Sequence, residues 1–230
     1  MRALIIRHHQ PSDAGYVGER LVQRGFELVD MLLVPDADFA RPHVTVAFPD
    51  PRAYDLIVPL GALWSVYDHA AIGTWIGDEL AFLRAAVEAD VPVLGICFGA
   101  QALAAALGGS VERAARPEIG WTDVQSDDPD LVGEGPWFQW HFDRIVVPPA
   151  AKELARTALA PQAYVVGRSL GLQFHPEVTP AGVQAWLDIG GAAEVAKHGY
   201  VPEELVRPKA GARERTHALV DNFLDRIARI

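Results

Sequence analysis

A sharp strand-to-helix turn is encoded at Gly95-Ile96-Cys97-Phe98-Gly99. An apolar run at residues 91–96 leads into it, and an Ala- and Leu-rich run at residues 100–107 follows it. Runs of these lengths predict a buried strand followed directly by a helix. The two glycines, placed two residues before and two residues after Cys97, relieve the crowding of such a turn. The segment therefore predicts an α/β sheet that presents the only cysteine of the chain at the carboxyl end of a strand.

Short apolar runs alternate with helical patterns through the first half of the chain. Residues 4–6, 27–34 and 56–58 predict strands, and residues 14–24 and 75–89 predict helices between them. This alternation is typical of an α/β protein. It predicts a doubly wound, mostly parallel sheet with helices on both faces and right-handed crossovers.

The helix predicted at residues 75–89 begins after Thr74, which is the expected N-cap. Its expected buried face carries Ile76, Leu80, Leu83 and Val87, which recur at helical spacing.

The second half of the chain begins with short β-like pieces. Residues 110–114, 121–125, 145–147 and 164–174 predict a small antiparallel extension of the sheet. Helices are predicted after it, over residues 180–189 and 212–229. The last helix carries an apolar stripe that we expect to pack in the core, formed by Val220, Phe223, Leu224 and Ile227.

Length and composition limit the number of domains, the partners and the localisation that we expect. The chain has 230 residues, half of them apolar, which suits a single domain over residues 1–230. Its net charge of −10 opposes binding to the phosphate backbone of nucleic acids. It has neither a long apolar run for a membrane span nor a signal peptide pattern, and one cysteine forms no internal disulfide. We therefore expect a cytoplasmic protein without nucleic-acid or membrane partners.

A second segment, Gln173-Phe174-His175-Pro176-Glu177, ends the predicted strand at residues 164–174. It places an imidazole and a carboxylate two residues apart, on the same side of an extended chain. A thiol at a helix N-terminus favours the thiolate, and an imidazole held by a carboxylate accepts its proton. Cys97, His175 and Glu177 are thus the candidate catalytic triad. The structural alternative is that Cys97 is a small buried hydrophobic residue.

Together these segments resemble the class I, triad-type glutamine amidotransferases, whose signature pairs a Gly-x-Cys-x-Gly-x-Gln turn with a later His-Pro-Glu. The resemblance spans roughly residues 1–186 and includes Pro117-Glu118-Ile119-Gly120-Trp121 and Trp140-His141-Phe142-Asp143. The chain looks most like the amidotransferase domain of GMP synthase. The resemblance implies a flavodoxin-like class I amidotransferase fold.

The resemblance also implies roles for further residues. The backbone amides of Phe98 and Gly61 would form the oxyanion hole, although Leu60 stands where many relatives have a second glycine. Gln101 would bind the glutamine substrate, together with the segment that contains His141 and Phe142. No metal or cofactor is expected, since the histidines lack ligand spacing and no phosphate-binding loop is present.

The resulting hypothesis is hydrolysis of the glutamine side-chain amide through a cysteinyl–glutamyl thioester. The ammonia would go to an acceptor, such as a synthetase subunit. Two alternatives stay open: a γ-glutamyl peptidase or hydrolase that cleaves a γ-glutamyl conjugate, and a non-catalytic binding module of the same fold.

Overall fold

A computed structural model covers residues 1–230. Ten strands are present: β1 (Arg2–Arg7), β2 (Glu27–Leu32), β3 (Leu56–Pro59), β4 (Leu94–Ile96), β5 (Ser110–Thr122), β6 (Gln125–Ser126), β7 (Trp137–Val146), β8 (Lys152–Arg156), β9 (Pro161–Val166) and β10 (Ser169–Leu172). Eight α-helices accompany them: α1 (Gly15–Gln23), α2 (His69–Ile72), α3 (Ile76–Glu88), α4 (Phe98–Ala106), α5 (Pro180–Trp186), α6 (Ala192–Lys197), α7 (Pro202–Leu205) and α8 (Ala212–Asn222). Helix α8 continues as a π-helical segment, Phe223–Ala228.

The main sheet has a parallel part and an antiparallel part. Strands β2, β1 and β3 are parallel neighbours, and a parallel bridge between Ile57 and Val93 joins them to β4. Strand β10 pairs with β4 in parallel, and β9, β8 and β6 extend the sheet in antiparallel order. The predicted fold class, a mostly parallel α/β sheet with a small antiparallel extension, is confirmed.

Helices cover both faces of this sheet. Helices α1 and α8 pack on one face through residues such as Leu21 and Val220, and α3 and α4 pack on the other through residues such as Leu83 and Leu103. Strands β3, β4 and β10 are buried along their whole length, as expected for strands covered on two sides. The apolar stripe of the last helix packs in this core as predicted, with Ile227 at its edge.

The prediction of one strand over residues 164–174 was wrong. The chain reverses at Gly167, whose φ of +55° is readily adopted by glycine, and β9 pairs with β10 in antiparallel orientation. The continuous apolar character of this segment hides the turn. The reversal makes β10 run parallel to β4, so that both strands end at the same edge of the sheet.

The prediction that residues 110–114, 121–125 and 145–147 extend the main sheet was wrong except at Gln125, which lies in β6. Strands β5 and β7 instead form a separate antiparallel ribbon, with a register shift between Arg113 and Glu118. The ribbon has its own apolar cluster, which includes Phe138 and packs against residues of α5 and α7. The antiparallel extension consists of β9, β8 and β6 instead.

Helix α3 differs in two details from the prediction. Trp75 occupies its N-cap position without a side-chain capping bond, so Thr74 is not the cap. The buried face contains Glu79, whereas Leu80 and Val87 are only partly buried. The buried face is therefore rotated relative to the predicted one. Glu79 lies in the core opposite His8, and Oε1 of Glu79 is 2.9 Å from Nε2 of His8. No helix of the protein is both long and apolar enough to cross a lipid bilayer.

Candidate active site

Cys97 lies in a strained turn between β4 and α4. Its φ and ψ are +50° and −107°, a conformation that residues with a side chain rarely adopt. A side chain at Gly99 would overlap the carbonyl oxygen of Pro59, and a Cβ at Gly95 would lie 2.8 Å from the carbonyl oxygen of Gly99. The two glycines therefore allow the close packing that holds Cys97 at the N-terminus of α4.

The neighbouring strands β4 and β10 bring the predicted cysteine and histidine together. The N–H of Cys97 donates to the carbonyl of Leu172 over 2.7 Å, and the N–H of His175 donates to the carbonyl of Phe138 over 2.8 Å. The first bond extends the ladder between the two strands, and the second ties the histidine to β7. The positions of Cys97 and His175 are thus set by main-chain hydrogen bonds.

His175 and Glu177 form a buried pair. Nδ1 of His175 lies 2.7 Å from Oε1 of Glu177, and the two residues are 4% and 3% exposed. The Trp186 ring covers the imidazole edge-on, with 4.9 Å between ring centroids. Burial alone would lower the pKa of His175, but the Glu177 carboxylate and the Cys97 sulfur raise this pKa well above its ordinary value. The site therefore favours an imidazolium.

The loop after β3 lies directly against these side chains. A Cβ on Gly61 would be 2.9 Å from Cε1 of His175 and 3.8 Å from Cβ of Cys97. The backbone amides of Gly61 and Phe98 donate to no carbonyl of the protein. Two unpaired N–H groups beside the thiol are the donors that an oxyanion requires. The N–H of Gly99 fixes the loop to α4 by donating to the carbonyl of Leu60 over 3.1 Å.

The same loop is tied to the β5–β7 ribbon through Asp143. Its carboxylate accepts hydrogen bonds from the hydroxyl of Ser65 and, over 2.7 Å, from the hydroxyl of Tyr67. Arg113 lies 3.5 Å from the same carboxylate. These contacts restrain the loop that carries Gly61.

Gln101 is buried and does not line the cavity beside His175. Its Nε2 donates to Oε1 of Gln173 over 3.3 Å, and Nε2 of Gln173 lies 3.8 Å from Sγ of Cys97. Gln101 thus reaches the thiol through a second amide side chain. A direct contact between Gln101 and substrate stays a prediction.

Only part of the segment around His141 lines the cavity. Trp140 and Phe142 line it, whereas His141 points into the protein, with Nδ1 2.9 Å from the carbonyl oxygen of Asp143 and Nε2 3.5 Å from Glu118. Burial lowers the pKa of His141 to about 4, so the ring is neutral. Any contact of His141 with substrate would involve its backbone, and its role stays a prediction.

A cavity of about 400 Å³ opens beside His175 and Gly61. Its volume falls within the range of roughly 300–1,000 Å³ that is typical of small-molecule sites. The remaining lining residues come from the loop after β1, the loop after β3, the β5–β7 ribbon and the segment around α5 and α6: His9, Ser12, Ala62, Leu63, Arg113, Trp140, Phe142, Trp186, Ile189, Gly190, Gly191 and Glu194.

Several of these lining residues belong to no sequence motif, so a single sequence does not predict them. Arg113 lies in β5, far along the chain from Trp186 in α5 and Glu194 in α6. His9 gave one usable signal, since it follows the first strand and so faces the same edge of the sheet as Cys97.

Comparison with known proteins agrees with this geometry. The family model "Glutamine amidotransferase class-I" matches residues 51–185, which include Cys97, His175 and Glu177. A crystal structure of a glutamine amidotransferase from Thermotoga maritima superposes with a TM-score of 0.83 at 26% identity, covering 100% of this chain and 99% of that one.

Two curated relatives are similar over part of the chain. The glutamine-hydrolyzing GMP synthase of Aeropyrum pernix is 41% identical over an alignment of 143 residues, and the alignment covers 56% of this chain and 27% of the relative. A glutamine-hydrolyzing GMP synthase subunit of Saccharolobus solfataricus is 32% identical over 167 residues, 68% of this chain and 85% of that relative. The chain thus matches less than a third of the length of the first relative and most of the length of the second. The chain belongs to the class-I glutamine amidotransferase family.

Proposed function

We propose that this protein hydrolyses the side-chain amide of glutamine, with Cys97 as nucleophile, His175 as acid and base, and Glu177 as the residue that orients His175. The observation that carries the proposal is the buried 2.7 Å contact between His175 and Glu177 at the edge of the sheet where the strained turn presents Cys97. Residues 1–230 would act as one amidotransferase domain.

In the first step the Cys97 thiolate attacks the amide carbon, and a C–S bond forms. The negative charge that develops on the amide oxygen is accepted by the N–H groups of Gly61 and Phe98. His175 then donates a proton to the amide nitrogen, the C–N bond breaks, and ammonia leaves a glutamyl thioester on Cys97.

The second step returns the enzyme to its starting state. His175, now neutral, takes a proton from water as the water oxygen attacks the thioester carbon. The C–S bond breaks, glutamate leaves, and the proton restores the imidazolium beside the thiolate. The raised pKa of His175 suits the first step, because it keeps a proton available for the departing nitrogen at neutral pH.

We further propose that the ammonia passes to an acceptor protein. The name of the Saccharolobus relative identifies it as one subunit of a GMP synthase, which indicates that a chain of similar extent works beside another polypeptide. An acceptor of this kind, a synthetase subunit, is therefore the partner to search for.

A γ-glutamyl hydrolase is the second candidate function. The observation that favours it is the cavity, which reaches from His175 to His9 and Ser12 and so offers room for a group attached to the amide nitrogen. The triad would act on such a conjugate by the same chemistry.

The test is to measure ammonia and glutamate release from L-glutamine, and amine release from γ-glutamyl conjugates, with wild type and Cys97→Ala. We expect turnover by wild type and none by Cys97→Ala. Cys97 should also be labelled covalently by a glutamine-like diazoketone. Absence of both turnover and labelling would contradict a catalytic function and leave a binding module of the same fold.

A further inference from the structure

His9 is a buried imidazole that the proposed mechanism does not use. It lines the cavity beside His175 and is 3% exposed. Neither of its ring nitrogens has a hydrogen-bond partner in the protein. Buried polar groups without a partner are uncommon in folded proteins, and each requires an explanation. A ligand in the cavity supplies one.

The ring is held in place by aromatic contacts instead of hydrogen bonds. The rings of Phe39 and Trp64 lie 5.9 Å and 5.8 Å from it, measured between centroids. Trp64 belongs to the loop that carries Gly61, so His9 packs against that loop. Burial and the neighbouring His8 lower the pKa of His9 to about 4. The imidazole is therefore neutral at pH 7, with one nitrogen able to accept a hydrogen bond.

The position of His9 in the cavity relates it to the leaving-group half of the substrate. Helix α1, which follows the loop after β1, packs on the segment that carries His175, since the N–H of Tyr16 donates to the carbonyl of Glu177 over 2.9 Å. Trp140 lies on the nucleophile side instead, with its carbonyl oxygen 4.0 Å from Sγ of Cys97. His175 protonates the leaving nitrogen in the proposed mechanism, and His9 lines the same cavity as His175, which makes His9 a candidate contact for the leaving group.

We propose that His9 forms a leaving-amine subsite, in which its imidazole accepts a hydrogen bond from the N–H of the scissile amide. Ser12 lines the cavity in the same loop, and its N–H donates to the carbonyl of His9 over 3.2 Å. The subsite rests on the proposed function and narrows its substrate class. The enzyme acts on γ-glutamyl amides of primary amines as well as on glutamine, provided that the amide nitrogen keeps a hydrogen.

A neutral imidazole suits this task. When His175 donates its proton and the C–N bond breaks, the departing amine still carries N–H groups that His9 accepts. A protonated histidine at the same place would have no free acceptor and would repel an ammonium ion. The low-dielectric surroundings of Phe39 and Trp64 keep the ring in its accepting form.

The experiment compares His9→Phe with wild type on three substrates: L-glutamine, γ-glutamyl methylamide and the γ-methyl ester of glutamate. The ester lacks any N–H on its leaving group. Phenylalanine keeps the aromatic packing and removes both nitrogens. We expect kcat/KM to fall about three- to tenfold for the two amides, as for loss of one neutral hydrogen bond, and to change less than twofold for the ester.

Two further variants guard against a trivial loss of fold. His9→Asn retains a hydrogen-bond acceptor and should recover part of the activity on the amides. His69→Phe changes an exposed histidine in α2 and should leave all three substrates unaffected. Thermal unfolding of each variant shows whether the fold is intact.

The outcomes separate this inference from the proposed function. Equal losses on ester and amides would show that His9 is only structural and would overturn the subsite. Turnover of glutamine without any turnover of the methylamide would overturn the wider substrate class. No turnover of any substrate by wild type, with no labelling of Cys97, would refute the proposed function itself and the subsite with it.

Discussion

The carbonyl oxygen of Pro59 occupies the space into which a side chain at Gly99 would project. This contact joins the end of β3 to the first turn of α4, and so it sets the distance between the loop of Gly61 and the thiol of Cys97. Close packing at this point is a condition for the geometry of the site.

Gly99→Ala should therefore lower both the stability and the activity of the protein. The added methyl group forces Pro59 and α4 apart, and we expect the free energy of unfolding to fall by about 1–3 kcal/mol. The proposed glutaminase activity should fall as well, because the N–H groups of Gly61 and Phe98, the proposed oxyanion donors, shift. Gly77→Ala is the matched control: Gly77 is an exposed glycine in α3 with open space around it, and the substitution should stabilise the protein by about 0.5–1 kcal/mol. Urea denaturation of both variants checks the pair, and equal effects would contradict the argument.

Replacement of Cys97 should reveal the strain of its backbone. Its positive φ is tolerated by glycine and costly for any residue with a Cβ. We expect Cys97→Gly to be more stable than Cys97→Ala by roughly 1 kcal/mol, although glycine ordinarily destabilises a folded chain. Both variants should lose turnover. A Cys97→Gly variant less stable than Cys97→Ala in chemical denaturation would argue against strain in the turn.

Glu177→Gln should lower the pKa of His175, because the carboxylate is the strongest influence that raises it against burial. The imidazolium would lose its partner, and we expect kcat to fall by about 10²- to 10⁴-fold. NMR titration of the His175 ring measures the change in pKa directly. An unchanged pKa would exclude Glu177 as the stabilising group.

The same variant should alter how stability depends on pH. In wild type the folded state holds the His175 proton more tightly than the unfolded chain, whose histidines titrate near pH 6.5. The resulting stabilisation is complete below pH 6.5 and is lost as pH rises through the raised pKa. We expect this decline to be smaller in Glu177→Gln, and unfolding measured across the alkaline range provides the comparison.

His141 should make the protein sensitive to acid. Burial lowers the pKa of His141 to about 4. Between pH 6.5 and pH 4 this ring is therefore protonated in the unfolded chain but neutral in the folded protein. This one ring should cost about 2 kcal/mol of stability between pH 7 and pH 5. His141→Asn should reduce the loss over that interval, and His69→Asn should not. The relevant quantity is the difference between the two pH values for each variant, measured by urea denaturation.

Features that depend on neighbours in the chain were predictable from sequence. The spacing of Gly95, Cys97 and Gly99 predicts the turn in part because the crowding at Gly95 comes from Gly99 and Ala100, close by in sequence. The crowding at Gly99 comes from the distant Pro59. The alternation of strands and helices predicted the layers of the fold. The order of His175 and Glu177 placed an imidazole and a carboxylate together, and the two side chains do form a hydrogen-bonded pair.

Features that depend on distant parts of the chain were not predictable. Glu79 is buried because His8 lies opposite it, 71 residues away in sequence. The sequence of α3 alone does not indicate that partner. Gly167 reverses the chain within a run whose apolar character fits one continuous strand equally well. The cavity wall is assembled from loops that meet only in the folded protein, so His9 could be placed near the site but not inside it.

The hydrogen bond from the N–H of Cys97 to the carbonyl of Leu172 joins the proposed nucleophile to the buried centre of the sheet. Strands β4 and β10 are fully buried, and exchange of such amides with solvent requires the sheet itself to open. Local fluctuations of the surrounding loops can admit or release small molecules while Cys97 stays fixed. Loss of the catalytic geometry and global unfolding should then be one event, so that residual activity in denaturant reports directly on the fraction of folded molecules.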